Sequence, residues 1–80
     1  MPTQGRIVAA WKDALYAYMS VRVDEDNGES IEYISRVALG DMPDLPLAAQ
    51  RERLLDAVRA VRDYQLGNRV SLPLSGIVNL

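Results

Sequence analysis

Leu15-Tyr-Ala-Tyr-Met-Ser-Val-Arg-Val-Asp24, Glu25-Asp-Asn-Gly-Glu29 and Ser30-Ile-Glu-Tyr-Ile-Ser-Arg-Val-Ala-Leu39 run consecutively, and their reading decides the fold. Leu15, Ala17, Met19, Val21 and Val23 alternate with Tyr16, Tyr18, Ser20, Arg22 and Asp24, which is the period of a strand with one buried face. Beyond the polar tip, Ile31, Tyr33, Ser35, Val37 and Leu39 alternate with Glu32, Ile34, Arg36 and Ala38. The two runs read as a hairpin, and its register can be argued. A two-residue Asn27-Gly28 loop would set Val23 opposite Glu32 and Met19 opposite Arg36, which mixes the faces. A three-residue loop, Asp26-Asn27-Gly28, pairs Val23 with Ile31, Val21 with Tyr33 and Ala17 with Val37. It places Arg22 beside Glu32 and Tyr18 beside Arg36 on the outer face. Gly28 then takes the left-handed position of a type I turn with a G1 bulge. A slip of one residue would turn every side chain to the wrong face, so the three-residue loop is expected.

Downstream, Leu54, Ala57, Val58, Val61 and Tyr64 recur at three- and four-residue steps, the apolar stripe of a helix. Arg51, Glu52, Asp56, Arg59, Arg62 and Asp63 occupy its other face, where Asp56–Arg59 and Arg59–Asp63 can pair. Asp44 is the expected N-cap, Pro46 falls in the first turn, and Gly67 is the expected left-handed C-cap. Upstream, Gly5 to Asp13 fits two templates. Ile7, Val8, Trp11, Leu15, Tyr18 and Met19 have helical spacing, while the alternation beginning at Leu15 favours a strand that turns at Lys12-Asp13. The expected fold is therefore α+β, a small antiparallel meander or hairpin packed on one helix, with helix–hairpin–helix as the alternative. A single domain over residues 1–67 is followed by an extended apolar C-terminal arm over 68–80. In that arm Val70, Leu72 and Leu74 alternate with small or polar residues before Ile77, Val78 and Leu80, and Pro73 confines any strand to an edge.

Composition bounds the chemistry. Eighty residues without a cysteine or histidine carry no disulfide, thiolate metal site or imidazole base. A domain of this size buries little more than half of its unfolded surface, so a partner or further copies would supply the missing stability. Nine basic against eleven acidic groups give a net charge of −2, and the signs alternate along the chain. Nucleic acid is thereby disfavoured as a partner, because phosphate contacts call for a basic excess. Eight of the nine basic residues are Arg, which suits an interface as well as it suits a GC-rich genome. The opening Met-Pro-Thr-Gln-Gly has no signal-peptide pattern, and Val70 to Leu80 is too short to span a bilayer. A soluble protein, with no membrane as partner, is expected.

Candidate sites are few. Asp24-Glu-Asp-Asn-Gly-Glu29 has Gly at the fifth position and Ser35 at the twelfth, where a calcium loop needs Gly at the sixth and Glu at the twelfth. It reads as a solvated hairpin tip. The carboxylate pairs Asp41/Asp44 and Glu52/Asp56 fit capping or solvated-helix roles, and the glycines are scattered singly with no phosphate loop. No enzyme activity, cofactor, metal or small-molecule substrate is expected. Trp11, Tyr16, Tyr18, Tyr33 and Tyr64 could stack single-stranded bases, or cover sheet surface and meet a protein. Two interaction surfaces follow: Tyr16, Tyr18, Arg22 and Arg36 on the outer face, and Val70, Leu72, Leu74, Ile77, Val78 and Leu80 on the arm. The arm either folds back as an edge strand or adds to a neighbour's sheet or groove.

The run Ser20 to Leu39, followed by Leu54-Leu-Asp-Ala-Val-Arg-Ala-Val-Arg-Asp-Tyr-Gln65, resembles small structural proteins of tailed phages and prophages. The likeness covers about half of the chain and includes no diagnostic motif. It implies a virion or assembly component that works in multiple copies and laces neighbours together with arms. Its location would be the virion or the host cytoplasm. The alternative class is a small regulator that binds and inhibits a cellular protein.

Overall fold

The computed structural model describes residues 3–80 and contains a three-stranded antiparallel sheet with one helix across its inner face. The strands β1 (Gly5–Lys12), β2 (Tyr16–Asp24) and β3 (Ser30–Ala38) follow chain order as a meander, and α1 spans Leu47–Asn68. The ambiguous first segment is thus a strand, and the helix–hairpin–helix alternative is overturned.

The hairpin has the register that its alternation requires. Val23 pairs with Ile31, Val21 with Tyr33, Ala17 with Val37, Arg22 with Glu32 and Tyr18 with Arg36. The tip closes through Glu25 N–H to Glu29 O at 2.8 Å and Gly28 N–H to Glu25 O at 3.0 Å, with Gly28 at φ 88°. Between β1 and β2 the chain turns at Asp13-Ala-Leu15. Leu15, expected on the buried face of the hairpin, lies in this turn outside β2 and is 69% exposed. The Asp13 side chain bonds two backbone amides there, which draws the chain out of the strand before Tyr16. Strand β1 carries a bulge at Val8, where the register to β2 shifts between Ile7 and Ala9. Gly5 is a site of close approach: a Cβ there would lie 2.8 Å from Val21 Cγ1.

The core is Ala17, Met19, Val21 and Val23 of β2 and Tyr33 of β3 against Leu54 and Val58 of the helix, completed by Met42. Met42 stands in the connection after the 3₁₀ turn Leu39–Asp41, a segment that its Asp-Met-Pro-Asp sequence marks only as a turn. Two polar contacts pin the helix to the sheet. Ser35 Oγ donates to the Leu54 carbonyl at 3.1 Å, and Arg62 grips the buried Glu25 carboxylate through Nε at 2.8 Å and Nη2 at 3.1 Å. The Tyr33 hydroxyl is buried without a hydrogen-bond partner; burial first, and the nearby Glu25 charge second, push its phenol above the ordinary range.

Both helix ends differ from the sequence expectation. The helix starts at Leu47 with Pro46 at the N-cap position, and Asp44 sits at φ 57° with no capping role. A residue before proline is kept out of the helical region, so Leu45 cannot begin the helix and the start moves past Pro46. At the other end Gly67 is helical, and the C-cap is Arg69 in extended conformation. Asn68 Nδ2 donates to the Tyr64 carbonyl and Arg69 N–H to the Gln65 carbonyl, which satisfies terminal acceptors without a left-handed glycine. Tyr64, expected on the buried stripe, is 70% exposed. By this turn the helix has reached the hairpin tip, where Arg62 and Arg69 meet Glu25 and Glu29. The Asp56–Arg59 pair forms at 2.6 Å on the solvent side.

Replacing Arg62 with Ala strands a buried carboxylate, and should cost about 3 kcal/mol in urea unfolding. Arg59→Ala breaks only an exposed pair, and should cost under about 1 kcal/mol. Equal effects would show that the Glu25–Arg62 pair does not anchor the helix.

Candidate interaction surfaces

The outer face of the sheet gathers most of the aromatic residues. The register places Trp11 opposite Tyr18 and Tyr18 opposite Arg36. The Trp11 and Tyr18 rings stack, with centroids 5.4 Å apart and 11° between planes, and Tyr16 tilts against Tyr18 at 6.2 Å. The Arg36 guanidinium lies 4.5 Å above the Tyr16 ring, a cation–π contact. Three of the four expected outer-face residues, Tyr16, Tyr18 and Arg36, therefore form one cluster with Trp11. Arg22 stands apart, opposite Arg6 on one side and Glu32 on the other, with Nη1 3.5 Å from Ser30 Oγ.

Asp13 organises the end of this cluster. Its Oδ1 accepts from the Leu15 and Tyr16 amides, each at 2.8 Å, and its Oδ2 accepts from the Tyr18 hydroxyl at 2.8 Å. Those donors, the Tyr16 amide foremost, hold the carboxyl below the ordinary aspartate range. The same bond to Asp13 pushes the Tyr18 phenol upward. Asp13 was not among the expected site residues, although Asp at the first position of a turn is a signal of side-chain-to-backbone bonding.

The inner face holds the second surface. The helix packs on β3 and β2, which leaves the β1 side open. Between β1 and α1 runs a groove in two connected parts that share Ile7 and Arg51. One part, about 780 Å³, is lined by Val21, Val23, Leu55 and Val58, with Arg59, Arg62 and Asp63 of the helix beside them. The other, about 510 Å³, lies between Ala10 and Lys12 on one wall and Leu47 and Leu54 on the other. Of the expected site residues only Tyr18 borders the groove; the others lie elsewhere, because the groove depends on the sideways position of the helix.

The third surface is the arm. From Arg69 to Leu80 the chain forms neither helix nor strand, and all six of its expected interaction residues are exposed, from 72% at Leu72 to full exposure at Ile77 and Leu80. A tight turn over Pro73, with Leu74 N–H bonded to Leu72 O at 2.8 Å, bends it. It does not pair with its own sheet, so the fold-back reading is overturned for the chain alone. No helix among the described residues is long and apolar enough to cross a membrane.

No protein family, curated protein or solved structure matches the chain.

Asp13→Ala removes the acceptor that holds the Tyr18 proton, so one tyrosine should titrate at lower pH than in the unmodified protein when followed by ultraviolet absorbance. In the unmodified protein, the stability contributed by Asp13 should be present above the ordinary carboxylate range and be lost as pH falls through the depressed value. An unchanged tyrosine titration would show that the Tyr18–Asp13 bond does not persist in solution.

Proposed function

We propose that this chain is a non-catalytic assembly module that acts through protein–protein contacts, and that it serves as a component of a tailed-phage particle. The observation that carries the reading is the arm: six aliphatic side chains exposed together, beside a body whose own inner face is only partly covered. Exposed apolar surface on this scale marks an interaction site. The small core points the same way, since a chain of this size gains stability from whatever covers it. The resemblance of Ser20–Leu39 and Leu54–Gln65 to small phage structural proteins supplies the particle class, and with it the virion or the host cytoplasm as location. Its partners on this reading are copies of itself or a larger structural protein.

A second reading rests on a different observation. The Trp11–Tyr18 stack with Tyr16 and Arg36 offers a rigid aromatic patch on the free outer face, the composition found at protein-binding hot spots. On that reading the chain is a monomeric regulator that binds and inhibits a cellular protein. Light scattering at micromolar concentration separates the two where the module assembles with its own copies, because the regulator is a single 8.9 kDa species and a self-assembling module is not.

Deleting residues 69–80 should abolish assembly while the far-ultraviolet circular dichroism of the sheet and helix is retained. A truncated chain that still assembles normally would sink the assembly reading.

A further inference from the structure

Resting on that assembly reading, we infer that two copies of this chain exchange arms, each arm lying in the groove between β1 and α1 of the other copy. The groove and the arm match in length and chemistry. Strand β1 has eight residues and so extends about 26 Å, within reach of a twelve-residue arm at about 3.3 Å per residue. The groove is lined by Val23 and Val58 at one end and by Leu47 and Leu54 at the other, and the arm beyond Arg69 has no charged side chain. Ser71, Ser75 and Asn79, with the arm's backbone carbonyls, are acceptors for the Arg51 and Arg59 side chains at the rim.

The path of the chain favours a second copy over the arm's own body. Arg69 pairs with Glu29 at 3.7 Å, which directs the arm away from the helix beside the start of β3, at the opposite edge from the groove. In the chain alone the arm leaves the groove open. Area also selects reciprocity. Six aliphatic side chains offer on the order of 500 Å² for burial. One docked arm, with the floor that it covers, would bury about 1,000 Å², below the range of a standard stable interface, while two reach about 2,000 Å² and clear it.

The test mixes two preparations of the full chain. One is isotope-labelled for amide NMR and otherwise unmodified; the other is unlabelled Leu72→Cys carrying a nitroxide, a site free of competing thiols because the chain has no cysteine. The expected result is intensity loss in the labelled copy at groove residues such as Ile7, Ala10, Arg51 and Leu54, with the outer-face amides of Arg36 and Glu32 spared. Independently, Leu72→Asp and Leu74→Asp, both at exposed positions, should each weaken self-association at least about tenfold with unchanged circular dichroism. Groove broadening seen only when label and isotope share one chain would overturn the inference in favour of cis packing. An assembled protein without groove broadening would overturn it and leave the assembly reading standing, whereas a monomer in light scattering at NMR concentration would overturn it and leave the assembly reading only a larger structural protein as partner.

Discussion

A single α-helix about 10 Å across can cover only about two strands spaced about 4.8 Å apart. The sheet has three, so one must remain uncovered, and the rest of the structure depends on which one. The inner faces of the strands decide it. Strand β3 offers Tyr33, the most buried residue, and Ser35, whose hydroxyl reaches the helix backbone at Leu54. Strand β1 offers Gly5, Ile7, Ala10 and the charged Lys12, too little apolar surface to compete for the helix. The Glu25–Arg62 pair then fixes the far end of the helix over the hairpin tip, and the groove beside β1 is the remainder.

The polar anchors contribute placement more than net stability. A buried ion pair gains little over apolar residues of equal volume, yet breaking it leaves an uncompensated charge. Glu25 and Arg62 join the hairpin tip to the helix across 37 residues of sequence, so a helix shifted by one turn would lose both hydrogen bonds at once. Ser35 acts similarly in the middle of the sheet. These contacts select one position for a helix whose apolar stripe alone would tolerate several.

The strand pairing was legible because side-chain period, face and loop length constrain one another: only one loop length kept Val21 and Val23 on the same face as Tyr33 and Ile31. The helix was legible through its stripe, though not its ends. Asp44 looked like a cap, but the proline two residues later controls where helical dihedrals begin. Gly67 looked like a stop, but the Asn68 amide performs the termination. Leu15 continued the alternation in sequence and was removed from it by the Asp13 turn. Among the surface residues, Tyr16, Tyr18 and Arg36 followed directly from register, while Trp11 waited on the first segment being a strand. The groove was not legible, because periodicity tells which side of a helix is buried and not over which strands it lies.

The bulge at Val8 bears on how far such a chain can grow. Antiparallel strands added edge to edge would propagate as a fibril if the β1 edge were flat and regular. The extra residue breaks the hydrogen-bonding ladder near the middle of that edge and increases its local twist. An incoming strand would find no long run of evenly spaced amides. Lateral polymerisation is thereby discouraged by the backbone itself, and the aliphatic surface beside the edge can stay exposed without seeding an open-ended aggregate.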